Sequence, residues 1–183
     1  MASKIKASRL VEFGVTKDFL KGLGGESTVK LVKICAKKGQ PVTDEEINQH
    51  LKLKITEVRA ILNRLHFRGI ASYDRTKNMK TGWYTYKWAI SPKRIAELIL
   101  ENHSERLEKL ETKKSFESNY VFFSCQKKCN MFPFEVAAEY EFRCPECGNS
   151  MNGIDGQKRA NEIDSQITGI NKEITSLQAF LNK

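Results

Sequence analysis

Apolar residues recur at steps of three and four between about residue 15 and residue 68, which is the spacing of a buried helical face. A short amphipathic segment comes first, and Gly22, Gly24 and Gly25 are expected to end it. Three longer helices are then predicted, over residues 27–38, from Thr43 onward and over residues 55–68. Residues 1–13 lack such a pattern and are interpreted as a basic N-terminal arm.

Local signals mark the ends of these helices. Gly39 and Gly69 follow the first and third, and glycine readily adopts the left-handed conformation that ends a helix. Thr43 and Glu46 predict a capping box, in which each side chain bonds the free backbone N–H of the other residue. The residues expected to face the core are Cys35, Ile47, Leu51, Val58, Ile61, Leu62 and Leu65.

After the third helix the pattern changes to an alternation of period two. It predicts strands over residues 70–75 and 83–90, joined by a polar, basic loop. One face of the second strand carries Tyr84, Tyr86, Trp88 and Ile90. Trp83 falls on the opposite face and is expected to be exposed. Three helices followed by a hairpin is the order of a winged helix-turn-helix, whose third helix and hairpin, or wing, are its usual contact surfaces.

Two more helices are predicted beyond the hairpin. Ser91 and Pro92 suit an N-cap and a first helical residue, and helix-favouring residues continue to about residue 114. The last segment, about residues 157–181, has a heptad series of Ile163, Ile167, Ile170, Ile174, Leu177 and Leu181. A matching series on the earlier helix is Leu100, His103, Leu107 and Leu110. The two series either pair antiparallel within the chain or pack on different partners.

Four of the five cysteines form two close pairs, Cys125 with Cys129 and Cys144 with Cys147. In a reducing compartment such pairs are better interpreted as metal ligands than as disulfides. Four thiolates suit one tetrahedral, structural Zn²⁺ with no open position for substrate, and iron is the alternative. Gly148 favours a tight turn at the second pair, whereas the first pair, with one more residue and no glycine, is expected to form a looser turn.

These elements predict an α+β fold: an N-terminal winged helix-turn-helix, a long linker helix, and a C-terminal zinc ribbon flanked by coiled-coil-like helices. The predicted divisions are a basic arm (1–13), a winged-helix domain (14–91), a linker helix (92–117), a zinc ribbon (118–153) and a heptad helix (154–183).

Charge is distributed unevenly along the 183 residues, which carry a net charge of +9. Residues 1–90 contain 18 basic and 8 acidic residues, a net +10, whereas residues 91–183 contain 13 and 14. The positive electrostatic field of residues 1–90 is expected to attract a phosphate backbone or an acidic protein surface. The residues expected to bind nucleic acid or a polymerase are Arg59, Asn63, Arg64, Arg75, Lys77, Lys80, Trp83 and Lys87.

These candidate residues suit more than one kind of binding partner. The cations can neutralise phosphates, and Trp83 can stack on an unpaired base, which makes single-stranded or melting DNA a candidate. Trp83 can equally anchor a protein surface, and the cations can simply be a solvated face.

Other classes of function are excluded. No stretch is apolar enough to span a bilayer, and residues 1–14 lack the apolar run of a signal peptide, so we expect a soluble protein of the cytosol or nucleus. The sequence has no GxxxxGK phosphate loop, no GxSxG elbow and no paired carboxylates in an apolar setting, so it does not support an enzyme. His50, His66 and His103 are interpreted as packing or surface residues.

Three stretches carry a resemblance to a known family. They are VRAILNRL at 58–65, TGWYTYKW at 81–88 and FRCPECG at 142–148. With the order of elements, they resemble archaeal transcription factor E, the counterpart of the alpha subunit of eukaryotic TFIIE, over residues 14–181. This chain departs from the family in having three residues, not two, between Cys125 and Cys129, and in lacking a heavily acidic tail.

The resemblance implies a general transcription initiation factor in the cytoplasm of an archaeal cell, associated with the nucleoid. It implies that the protein binds RNA polymerase at the clamp and stalk and promotes or stabilises promoter opening. The wing is then expected near the non-template strand, in a complex with TATA-binding protein and a TFIIB-like factor. A second subunit on the C-terminal helix is a further expectation.

Two competing classes stay open at this point. A sequence-specific repressor would dimerise through the C-terminal helix and read the major groove with Arg59, Asn63 and Arg64. A metal sensor would need an exchangeable metal, and a closed four-thiolate site argues against that class.

Overall fold

The computed structural model describes residues 9–80 and 82–181. The chain divides into two compact units. The first is formed by residues 1–102 and 175–183, and the second by residues 103–174. The first unit contains helices α1 (Gly14–Lys38), α2 (Asp44–Leu51) and α3 (Ile55–Phe67) and strands β1 (Val42–Thr43), β2 (Ala71–Lys77) and β3 (Tyr84–Ile90). Two long helices, α4 (Pro92–Asn119) and α6 (Gly156–Leu181), contribute residues to both units.

Helix α1 is interrupted at two of the three predicted glycines. Gly25 has a φ of 74° and Gly24 is extended, so the backbone leaves the helical conformation there and resumes it. Gly22, which we expected to help end the first segment, lies inside a regular helical turn instead. An exposed glycine weakens a helix without ending it, since other residues continue the hydrogen bonding.

The capping of α2 is confirmed in part. The Thr43 hydroxyl accepts a hydrogen bond from the Glu46 backbone N–H at 3.2 Å. The Glu46 carboxylate accepts from Lys38 Nζ at 2.9 Å, and its pKa is lowered chiefly by this bond and in part by the backbone N–H of Thr43. Gly39 and Gly69 both adopt the left-handed conformation, and each follows its helix as predicted.

The sheet of the first unit has three antiparallel strands in the order β1–β3–β2. Strands β2 and β3 form the predicted hairpin, with Tyr73 opposite Trp88, Arg75 opposite Tyr86 and Lys77 opposite Tyr84. Strand β1 was not predicted, because its two residues are too few to show an alternation. The expected combination of helices and sheet is therefore confirmed.

The core of the first unit joins residues from distant parts of the chain. The predicted core residues Ile47, Val58 and Leu62 are completely buried. Leu10 and Val11 are buried as well, so the predicted basic arm, residues 1–13, contributes to the core at these two positions, whereas residues 1–8 lie outside the described part of the chain. Leu177 of α6 belongs to the same core with no exposed surface. The linker helix begins as predicted, since the Ser91 hydroxyl accepts from the Arg94 N–H at 3.3 Å.

The second unit contains a second small sheet. Strands β4 (Phe122–Cys125), β5 (Met131–Pro133) and β6 (Met151–Gly153) are antiparallel, in the order β5–β4–β6. Helix α5 (Phe134–Glu139), which the sequence did not predict, follows β5 directly. Helix α4 continues to Asn119, beyond the predicted end near residue 114.

Helices α4 and α6 pair antiparallel within this unit, which was the first of the two arrangements we considered. Arg159 bonds both carboxylate oxygens of Glu117, at 3.0 and 2.6 Å. Toward the other end of the pair, His103 Nε2 lies 3.0 Å from a carboxylate oxygen of Glu173. Ile163 and Ile170 of the heptad series are buried. Among the described residues, no helix is both long enough and apolar enough to cross a membrane.

Candidate metal centre and nucleic-acid interface

The structure brings the two cysteine pairs into one cluster. The Sγ atoms of Cys125, Cys129, Cys144 and Cys147 all lie within 4.8 Å of one another. Tetrahedral zinc with Zn–S bonds of about 2.3 Å separates its sulfurs by roughly 3.8 Å. Four thiols at these distances therefore fit a tetrahedral metal site.

Two tight turns present these thiols. At the second pair, the backbone N–H groups of Glu146 and Cys147 point at the Cys144 sulfur. Gly148 is left-handed there, as a tight turn requires. At the first pair, Lys128 takes the left-handed conformation instead of a glycine, and its N–H donates to the Cys125 carbonyl at 2.8 Å. This hydrogen bond closes the turn without a glycine, since a lysine can adopt the required φ at a modest energetic cost.

The ionisation of the thiols shows why a cation suits this cluster. Hydrogen bonds from the backbone N–H and side-chain amide of Asn149 lower the pKa of the Cys147 thiol to about 6. The hydrogen bond with Cys147, together with desolvation, raises the pKa of Cys129 to about 12. Desolvation also raises the pKa of Cys144. The Cys147 thiolate thus forms readily and the thiols of Cys129 and Cys144 resist ionisation, whereas a divalent cation would stabilise all four thiolates.

Asn149 is a functional residue that the sequence analysis missed. Its amide Nδ2 lies 3.2 Å from the Cys147 sulfur. Its position directly after Gly148, beside the second cysteine pair, was the signal available.

A groove in the first unit collects several of the residues expected to bind nucleic acid. Its walls carry five aromatic rings, those of Tyr73, Trp83, Tyr84, Tyr86 and Trp88. Asp44, Arg59 and Asn63 line the same space, which measures about 540 Å³. We call this space the aromatic groove. Trp83 is 78% exposed, as predicted, but it lines the groove with Tyr84 and Tyr86 instead of lying on the opposite face, because strand β3 begins only after it.

The rings of the groove contact one another and nearby cations. Tyr73 lies 4.9 Å from Trp88 and 5.4 Å from Tyr86, measured between ring centroids. The Arg75 guanidinium lies over the Tyr84 ring at 4.5 Å, and Lys77 Nζ is 5.9 Å from the same ring. Both distances are in the range of a cation–π interaction. Cations and aromatic faces are thus combined on one side of the hairpin.

Arg59 is held by an acid that the sequence analysis did not single out. Its Nε donates to the carboxylate of Asp44, whose side chain is 3% exposed. Burial raises the pKa of Asp44, but hydrogen bonding, chiefly from Arg59, outweighs it and leaves that pKa below its ordinary value. The main contact of Arg59 is therefore its ion pair with Asp44, and about half of the arginine side chain is still exposed.

The remaining predicted contact residues do not gather in the groove. The Arg64 guanidinium donates to the Leu23 carbonyl at 3.3 Å, beside the glycine break in α1. Lys87 lies opposite Asp74, and its position in the register puts it on the other face of the hairpin. Lys80 lies in the turn that joins the strands, where its N–H bonds the Asn78 side chain.

Several known proteins are similar to this chain in sequence. A model of the TFIIE alpha subunit family matches residues 15–119. Transcription factor E of Saccharolobus solfataricus is 34% identical over 154 residues, which are 84% of this chain and 86% of that protein. Transcription factor E of Metallosphaera sedula is 35% identical over 158 residues, 86% of this chain and 90% of that protein.

A solved structure is also similar, though less so. It is described as a possible transcriptional regulator from Methanosarcina mazei, and the match covers 54% of this chain and 84% of that one, with 19% identity and a TM-score of 0.44. The sequence relationships cover far more of the chain. By them, the chain belongs to the TFIIE alpha and transcription factor E family, whose members are transcription initiation factors and not enzymes.

Proposed function

We propose that this protein binds RNA polymerase at the clamp and stalk and promotes or stabilises the opening of promoter DNA. The observation that carries the proposal is the identity of 34% and 35% to relatives named Transcription factor E, over 84% and 86% of the chain. A factor that contacts the open complex better than the closed one shifts the equilibrium between them without bond chemistry.

The first unit acts in this proposal as a winged helix-turn-helix, with the β2–β3 hairpin as its wing. The hairpin would lie near the non-template strand at the opened promoter. Its chemistry supports this role, since Arg75 and Lys77 carry positive charge beside the ring of Tyr84, and the ring of the preceding residue, Trp83, is exposed. Cations attract phosphates and aromatic rings stack on unpaired bases.

The cysteine cluster is proposed to be a structural zinc ribbon. Cys125, Cys129, Cys144 and Cys147 would hold one Zn²⁺, and the closed set of four thiolates would stabilise the fold around it. TATA-binding protein and a TFIIB-like factor would be present in the same initiation complex. A second subunit on α6 would have to bind the side of that helix away from its buried isoleucines.

The experiment that tests the function is co-elution of the zinc-loaded protein with archaeal RNA polymerase, followed by a promoter-opening assay. A 2-aminopurine base in the non-template strand fluoresces more strongly when it unstacks, so it measures opening. We expect co-elution and a larger opened fraction. No co-elution, with tight binding to a single duplex sequence, would replace this proposal with the repressor.

Two observations disfavour the repressor. Arg59 is bonded to Asp44 and Arg64 to the Leu23 carbonyl, so neither is directed only at a base edge. Ile163 and Ile170, which would form the dimer contact, are already buried within the chain.

A further inference from the structure

We propose that the aromatic groove binds one unpaired base of single-stranded DNA, through stacking on its tyrosines and contacts from its polar wall. This inference rests on the proposed function and assigns it a specific site. The site lies on the sheet face beside α3, and it depends on Tyr73, Tyr84 and Asn63, not on the hairpin cations alone.

The exposure of the rings is the first reason. Tyr73 and Tyr84 are 43% and 47% exposed, although both lie in ordered strands. Contacts to Tyr86 and Trp88 hold the Tyr73 ring in place. Rings that are exposed and held in position offer flat faces at a small entropic cost, and an unpaired base has a matching face. A base in a duplex has its faces covered by its neighbours.

The polar wall is the second reason. Asn63 is exposed into the same groove and can both donate and accept hydrogen bonds at a base edge. The edge of a base carries donors and acceptors as well, so this side chain suits a base as the occupant.

The local charge selects the class of occupant. Aromatic rings next to a carboxylate also suit a cationic ligand. Here, however, the carboxylate of Asp44 is already paired with Arg59, and Arg75 and Lys77 lie over Tyr84. Arg75 and Lys77 therefore add positive charge beside the groove, which favours a base that is joined to phosphates over an ammonium or guanidinium group.

The test is binding of the intact, zinc-loaded protein to a fluorescently labelled oligothymidylate, measured by anisotropy. We expect Tyr84→Leu, which keeps the apolar bulk, to weaken binding at least about fivefold. Tyr120→Leu is the matched control, because Tyr120 is 45% exposed but lies in the second unit, and it should bind as the unchanged protein does.

Charge is tested on the two faces of the same hairpin. Arg75→Ala should weaken binding more than Lys87→Ala, because only Arg75 is on the groove side. An oligonucleotide with 5-iodouracil should crosslink on irradiation to Tyr73, Trp83 or Tyr84. Equal losses for the two cation variants, or crosslinks only outside the groove, would overturn the assignment.

Failure of this inference can be told apart from failure of the proposed function. If Tyr84→Leu binds the oligonucleotide normally while the protein still co-elutes with polymerase and opens promoters, the groove assignment is wrong and the function stands. If Tyr84→Leu loses polymerase but keeps the oligonucleotide, the groove is a protein-binding surface. A thermal unfolding curve of each variant shows that it is folded, and Asn63→Ala repeats the test without removing a ring.

Discussion

Arg59 lies on a surface that the sequence alone assigns to binding. Its guanidinium nevertheless has a structural partner within the fold. Its Nε bonds the buried carboxylate of Asp44, and a second contact reaches Glu45 at 3.8 Å. Removal of the arginine would leave a carboxylate that is buried without its cation. Such a charge is costly, because burial penalises it and nothing compensates.

We therefore predict that Arg59→Met lowers the free energy of unfolding by about 1 to 3 kcal/mol at neutral pH. Urea unfolding measures the change. Arg68→Met, at an exposed position just after the same helix, is the control and should change stability by less than about 0.5 kcal/mol. Equal effects of the two substitutions would show that the Asp44 pair does not stabilise the fold.

The same pair predicts a pH dependence. Because the pKa of Asp44 is lowered on folding, its contribution is present above its unfolded pKa, near 4, and is lost as the pH falls through the folded value. In Arg59→Met, burial acts without the arginine, so the pKa of Asp44 should rise. The difference in stability between the two proteins should then shrink as the pH falls from 7 toward 3. A constant difference across that range would contradict this account.

Two nearby glycines should respond in opposite ways to alanine. At Gly24 a Cβ atom would lie 2.5 Å from the Thr28 hydroxyl, and Thr28 is buried. Gly24→Ala is expected to cost about 1 to 3 kcal/mol, since the crowded residue has little room to move. Gly22 is an exposed residue inside helix α1, where a Cβ atom would meet nothing within 4 Å. Alanine at this position should stabilise the fold by up to about 1 kcal/mol. Thermal unfolding of both variants checks the pair.

At the scale of elements, the sheet and short helix of the second unit surround the cysteine cluster. The buried core next to the thiols is small, with Ala137 and Met151 as its buried apolar members beside Cys125 and Cys144. A core of this size stabilises a fold weakly, so the metal should supply most of the stability.

We predict one zinc per chain and loss of the β4–β5–β6 sheet when a strong chelator removes it. Metal content is measured by mass spectrometry of the native protein and the sheet by amide exchange. Cys147→Ser should lose the zinc, because a hydroxyl is a poor replacement for a thiolate. Cys35→Ala, at a buried cysteine in the first unit, should keep it. A full complement of zinc in Cys147→Ser would contradict the assignment of ligands.

At the scale of the whole molecule, the end of the chain completes the core near its beginning. Residues 175–183 belong to the first unit, and Leu177 has no exposed surface in that core. We predict that Leu177→Ala costs about 2 to 5 kcal/mol and reduces amide protection in α3, more than a hundred residues earlier. Gln178→Ala, at the adjacent exposed position, should have little effect. If protection falls only in the second unit, this assignment of Leu177 is wrong.

Much of the secondary structure could be predicted from the sequence, because it depends on interactions between residues that are close along the chain. The predicted helices at 55–68 and 157–181 and the hairpin after Gly69 all appear within a few residues of their expected bounds. Periodicity and end signals act over a few residues, so they can be recognised without tertiary contacts. The four cysteines were found for a similar reason, since the type and spacing of ligands specify a metal site.

Only the tertiary structure decided which side chains meet across long sequence distances. It set Tyr73 opposite Trp88, paired Arg59 with Asp44, and turned Arg64 toward the Leu23 carbonyl. Strand register and the choice of partner for a guanidinium depend on how elements pack, which no local pattern encodes. The sequence therefore determined most of the longer helices and strands and the candidate ligands. The packing of the sheet beside α3 decided which of the basic and aromatic residues form a groove.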